Sequence, residues 1–149
     1  MNGSTENRAP EAFEKGGSHE RVLTWVAANR MLPLVRAIVA DVIDCQRRLA
    51  TMQPEKDRLD RHRRDLNWPD RSRRYQLDDE IAAGERALRA AYGELDTLGV
   101  VLLDGEAGRV GFPTLVNKRP AYFSWLPGEE TLSFWQYADD GERRPIPAG

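Results

Sequence analysis

LDDEIAAGERALRAAYGELDTL, residues 77 to 98, decides the fold. Leu77, Ile81, Gly84, Leu88, Ala91, Leu95 and Leu98 recur at alternating steps of four and three, which sets them on one stripe of a helix built to lie along a second helix. Gly99 follows the last of them, where a helix can end in a left-handed residue at little steric cost.

The second helix lies upstream. Val35, Val42 and Leu49 form one series with a step of seven, and Ile38, Cys45, Met52, Leu59 and Leu66 form another offset by three, the two seam positions of a heptad. The second series runs past Pro54, so a bend is expected there, with helix resuming to about Asp65. Such a helix of roughly 32 residues would be ~48 Å long at 1.5 Å per residue. Asn67-Trp68-Pro69-Asp70 has loop chemistry, and the return helix is expected from Arg71 to Leu98, antiparallel to the first. Before the hairpin, Thr24 is suited to cap a short helix over Trp25 to Leu32. That helix is expected to break or kink at Pro33, which would start the next one. Residues 1 to 21 are rich in Gly, Ser, Glu and Asn with little to bury, and read as a disordered tail.

After Gly99 the period changes. Val100 to Leu103, Arg109 to Pro113, Ala121 to Trp125 and Leu132 to Tyr137 are short apolar runs separated by turn signals. They predict a small antiparallel sheet of three or four strands, and Pro145 and Pro147 predict an extended tail over residues 142 to 149. The fold class is therefore α+β, mostly helical: one domain over residues 22 to 149, with the hairpin in 22 to 98 and the sheet in 99 to 141. A sheet this small must pack on a helix, with Trp25, Phe112, Tyr122, Trp125, Phe134 and Trp135 as candidates for the junction.

Composition limits the function classes. A net charge of -2 with 31% charged residues gives the chain as a whole no preference for nucleic acid or anionic membranes. The single Cys45 excludes an internal disulfide, and His19 and His62 do not stand at zinc spacing, so a reducing cytoplasm is expected. No basic start with an apolar core marks a signal peptide, and no apolar run nears the roughly 20 residues a bilayer span needs. The facing helices lack the Glu-x-x-His pattern of a di-metal bundle, and no cofactor is expected.

Three features invite chemistry. Arg58, Arg61, Arg63, Arg64, Arg71, Arg73 and Arg74 gather at the hairpin tip. They would bind phosphate or, on the plainer and preferred reading, pair with Asp57, Asp60, Asp65 and Asp70 at helical spacing. Cys45 is a thiol at a seam position, where packing is the expected role. The aromatic residues of the sheet would line a small-molecule pocket with Glu129, Gln136, Asp139 or Asp140 as polar contacts, or simply fill the core, which is the commoner use.

These segments resemble an uncharacterised bacterial family, domain of unknown function 2203. Leu23-Thr24 through Ala28, Met31, Leu32 and Pro33 resemble its Phe-Thr-x-x-x-Ala-x-x-Leu-Leu-Pro opening, and Leu98-Gly99-Val100 resembles its Leu-Gly-Val segment. Gly111-Phe112-Pro113, Ala121-Tyr122-Phe123-Ser124-Trp125, Gly128-Glu129, Trp135 to Asp139, Gly141 and Arg143-Arg144-Pro145 correspond to its closing motifs. The resemblance spans Leu23 to Pro145. Where the family usually has Asp, Cys and His, this chain has Gly111, Ser124 and Gln136, so any chemistry the relatives perform with those side chains is expected to be lost or altered here.

The leading expectation is a non-enzymatic interaction protein, a homodimer through its helices or a module docked on a protein partner. Leu34, Val39 and Ile43 beside the seam are the apolar surface that a second copy would cover. The alternative is a small-molecule binder or enzyme with a pocket between the sheet and the Trp25 helix. Its candidate surface is Trp25, Tyr122, Trp125, Glu129, Trp135, Gln136, Asp139 and Arg143, with no residue assigned to catalysis or metal. Nucleic-acid binding through the arginine tip ranks third, and no membrane association is expected.

Overall fold

The computed structural model describes residues 22–147. The tail expected before Val22 lies outside the described residues. Helix α1 spans Trp25–Arg61 and helix α2 spans Trp68–Leu98, joined through a 3-10 turn at Arg63–Asp65. Five strands follow: β1 Val101–Asp104, β2 Arg109–Val116, β3 Arg119–Trp125, β4 Phe134–Tyr137 and β5 Arg144–Pro145. They form one antiparallel sheet in the order β1-β2-β3-β4-β5.

The seam forms as its spacing predicts. Leu77, Ile81, Ala91 and Leu95 are buried against Val35, Ile38, Val42, Cys45 and Leu59 of α1. Gly84 lets the helices approach, since a Cβ there would lie 3.0 Å from Leu49 Cδ2. Thr24 caps α1 by accepting a hydrogen bond from the Ala27 N–H at 3.1 Å, and Gly99 ends α2 at a φ of 78°.

Helix α1 is not divided into a short helix and a long one. It is a single helix of 37 residues, ~55 Å long, running through both Pro33 and Pro54. Both prolines are exposed, so each ring lies on the solvent side of the helix. Leu32 and Val35, buried on either side of Pro33, keep the chain on its helical course. Helix α2 also begins earlier than expected. Asn67 accepts from the Asp70 N–H at 3.0 Å as N-cap, and Pro69 occupies the first turn, where its missing donor costs nothing.

The sheet has five strands where three or four were expected. The fifth is only two residues long, too short to show a period, and is fastened to its neighbour by Ile146 N–H donating to Ser133 O at 2.8 Å. Strands β2 and β3 are joined by a two-residue turn, Asn117 and Lys118, with φ of 54° and 64°, the conformation whose twist matches an antiparallel pair. Pro113 is tolerated inside β2 because its outward edge, beyond the last pairing with β1 at Gly111, carries no strand. There its carbonyl accepts from Leu23 N–H at 2.8 Å instead.

One face of the sheet packs on the base of the hairpin. Val110, Phe112, Trp125 and Leu132 join Ala28, Leu32, Val35, Val39, Val42, Leu95 and Val100 in the main core. A second, smaller core of Leu59, Leu77 and Ile81 lies toward the tip. Val39 and Ile43 are therefore not left for a second copy to cover. The β1–β2 turn lies on them so closely that a Cβ on Gly108 would stand 2.8 Å from Ile43 Cδ1 and 3.0 Å from Val39 Cγ1. Leu34 alone of the three is exposed.

Gly108 also has a φ of 78°, so it carries both the tight contact and the left-handed turn. Gly108→Ala is expected to destabilise the fold by about 2–4 kcal/mol, from backbone strain plus overpacking, measured by urea unfolding.

Candidate functional site

Alternation along the strands sends Gly111 and Pro113 of β2, Tyr122 and Ser124 of β3, and Phe134 and Gln136 of β4 to the face opposite the helices. The register pairs Gly111 with Ser124, Tyr122 with Gln136 and Ser124 with Phe134. The positions at which this chain differs from the resembling motifs, Gly111, Ser124 and Gln136, thus share one face. Ser124 and Gln136 are nonetheless buried, at 0% and 4% exposure, because the returning chain covers them.

Arg143 does the covering. Its Nε donates to Ser124 Oγ at 2.9 Å and Nη2 to the Ser124 carbonyl at 3.0 Å, while Nη1 and Nη2 donate to the two Glu129 carboxylate oxygens at 3.0 and 2.9 Å. Four of the five guanidinium N–H groups are thereby used. The guanidinium also lies 4.3 Å from the Phe134 ring centre. Glu129 in turn accepts from the Leu126 N–H at 3.0 Å, and its carbonyl accepts from Trp125 Nε1 at 2.8 Å. The cluster folds the Leu126–Glu129 turn onto the sheet and ties the last strand over it.

Beside it, Arg109 Nη1 donates to Gln136 Oε1 at 3.1 Å, and Gln136 Nε2 donates to the Asp140 carbonyl at 3.3 Å. Tyr122 fills the space beyond Gly111, where a Cβ would lie 2.7 Å from the Tyr122 Cγ, and burial raises its phenol pKa. A side chain at position 111 would have to displace that ring.

The eight candidate residues therefore do not form one site. Tyr122, Glu129, Gln136 and Arg143 share the outer face. Trp125 points the other way into the core, at 1% exposure. Trp25 holds α1 to the β3–β4 connection by donating from Nε1 to the Leu132 carbonyl at 2.8 Å. Trp135 stacks edge-on against Tyr137 at 4.9 Å, with Arg144 over both rings. Asp139 pairs with Arg119 at 2.9 Å, which holds its carboxyl below the usual range. Among the described residues no group of three or more His, Cys, Asp or Glu side chains is placed to hold a metal ion. Cys45 is buried in the seam.

The hairpin presents two further surfaces. At the tip the arginines do not pair with neighbouring aspartates along their own helix. Arg74 reaches Asp60 across the hairpin, Lys56 bonds Asp60 and Asp78, and Arg73 grips Glu55 with two bonds of 3.0 Å. Lys56 first, and then Arg74, hold the Asp60 carboxyl below its ordinary 3.8, so this link is complete above that pH and is lost as the pH falls toward the depressed folded value. Arg63, Arg64, Arg71 and Arg74 with Leu66 and Tyr75 line a groove of about 400 Å³. Tyr75 and Trp68, both exposed, escaped the reading of the sequence; seven apart and off the seam, their spacing was the signal available. The second surface is the flank of the hairpin away from the sheet. Two adjoining grooves of about 300 and 570 Å³ share Cys45, Arg48 and Ala87 and extend from Asp41 and Glu94 to Met52 and Glu80.

An antiparallel helical hairpin carrying a small sheet closed by an arginine–glutamate clasp is the class of protein these features define. The chain belongs to the family described as Uncharacterized conserved protein (DUF2203), whose model matches residues 21–146. No curated protein and no solved structure matches it. None of its described helices is long and apolar enough to cross a membrane.

Glu129→Ala is expected to cost about 2–3 kcal/mol, since it strands a largely buried guanidinium and the Leu126 N–H. Arg143→Lys should recover little, because an ammonium cannot reach both carboxylate oxygens and both Ser124 acceptors at once. Chemical denaturation of the two variants checks both outcomes.

Proposed function

We propose that the protein is a non-enzymatic interaction module that pairs with a second copy of itself through the open flank of its hairpin. The observation that carries this reading is the groove between α1 and α2. The sheet covers the Val39 and Ile43 side of α1, while among the described residues no third layer lies over the side bearing Asp41, Asp44, Cys45 and Arg48. Between Glu80 and Glu94, α2 lines it with glycine and alanine alone, from Ala83 and Gly84 to Ala90 and Ala91, small enough for another helix to approach closely and complete a four-helix arrangement. With Cys45 reduced in the seam, we place the protein in the cytoplasm.

A small-molecule site between the sheet and α1 has weaker support. The polar groups it would use are spent internally, Arg143 on Ser124 and Glu129, and Gln136 on Arg109 and Asp140. Trp125 and Phe112 are packed into the core at that junction.

Light scattering on the eluting protein at micromolar concentration should give twice the 16.9 kDa chain mass. Ala87→Glu, at an exposed position in the groove, should give the single-chain mass with an unchanged circular dichroism spectrum. An unaltered chain that elutes as a monomer would overturn the reading.

A further inference from the structure

We infer that the hairpin tip binds single-stranded nucleic acid, its arginine groove taking phosphates while Tyr75 and Trp68 stack on unpaired bases. Between Asp57 and Tyr75 the chain carries seven arginines, four aspartates and no lysine, a local excess of positive charge on a molecule of net charge -2. Internal pairing uses only part of it. Arg73 and Arg74 are taken by Glu55 and Asp60, and Arg71 donates to the Leu66 carbonyl. Arg63 and Arg64 line the groove with no carboxylate partner among the described residues.

The aromatic residues distinguish the ligand. Trp68 is 69% exposed and Tyr75 66%, far more than their size favours. Seven residues apart on α2, they face the same way about 10.5 Å from one another. Tyr75 is itself a wall of the groove, so a phosphate held by Arg63 or Arg64 would bring its base within reach of a ring. Guanidinium groups that grip phosphate through paired donors, interleaved with free aromatic faces, suit a strand whose bases are unstacked.

Other anions fit less well. An acidic peptide would satisfy the arginines and leave both rings idle. A bilayer would call for a broad apolar face, but Trp68 and Tyr75 are the only large hydrophobic side chains exposed among the described residues of the tip, residues 61 to 65 are all charged or histidine, and Leu66 packs inward on the tip core. A duplex hides the base faces that the rings would use.

The test uses fluorescence anisotropy of a labelled 12-nucleotide single strand of mixed sequence in low salt. Micromolar binding is expected, with log K falling against log salt at a slope of about -2 for three phosphates. Arg63→Gln with Arg64→Gln should weaken binding at least tenfold and reduce the slope to about -0.7. Trp68→Ala and Tyr75→Ala should each weaken it by about tenfold with the slope unchanged. Arg86→Gln with Arg89→Gln, which removes the same charge from exposed positions of α2 away from the tip, should leave it within twofold. All of these sites are at or near the surface, and thermal melts of each variant confirm that it folds. No binding, equal binding to a duplex of the same sequence, tighter binding to phosphatidylserine vesicles, or binding that the tip variants leave unchanged would each overturn the inference.

Discussion

The structure depends on one helix being packed on two sides at once. Along α1, Val42 and Cys45 turn toward α2, while Val39 and Ile43 turn toward the β1–β2 turn. A small sheet with one apolar face would hold little by itself, and a lone hairpin would bury only a narrow seam. Sharing α1 joins them into one core, in which Val35, Phe112 and Trp125 belong together although they come from distant parts of the chain. The continuity of α1 follows from this. At Pro33 the helix is gripped on two faces and at Pro54 by α2 alone, and it passes through both prolines with their residues on the solvent side.

This explains which parts could be read from the sequence. The hairpin was legible because its stripe repeats over many turns, from Val35 to Leu66 and from Leu77 to Leu98, and repetition outweighs any single ambiguous residue. The Thr24 and Gly99 caps were legible because each is a local matter. The break expected at Pro33 was a local rule overruled by packing. Strand β5 and the cover over Val39 were not legible, because both depend on contacts between segments that only the folded chain brings together.

The candidate site shows the same limit in its chemistry. Trp125, Glu129 and Arg143 stood out as residues able to bind something, and they are indeed held in a connected arrangement. What they bind is each other. Nothing in the sequence reveals that the Arg143 guanidinium is already engaged by a serine 19 residues away and a glutamate 14 away. At the tip the error ran in the opposite direction. Aspartates at helical spacing looked sufficient to neutralise the arginines, but Asp60 is the one that serves, and it is shared by Lys56 and Arg74.

The separation of the two cores has a consequence for motion. The base is anchored by both α2 and the sheet, whereas the tip rests on Leu59, Leu77 and Ile81 with Leu49, Met52 and Leu66 around them. Between these clusters the seam narrows to Cys45 and Gly84, which bury little apolar area, with Leu49 and Leu88 on either side only partly buried. The outer end of the hairpin is therefore expected to open at lower free energy than the whole molecule unfolds. Its amide protons would exchange with solvent well before those of the base, as in a pair of tongs riveted at one end, whose free end can part and close while the rivet holds.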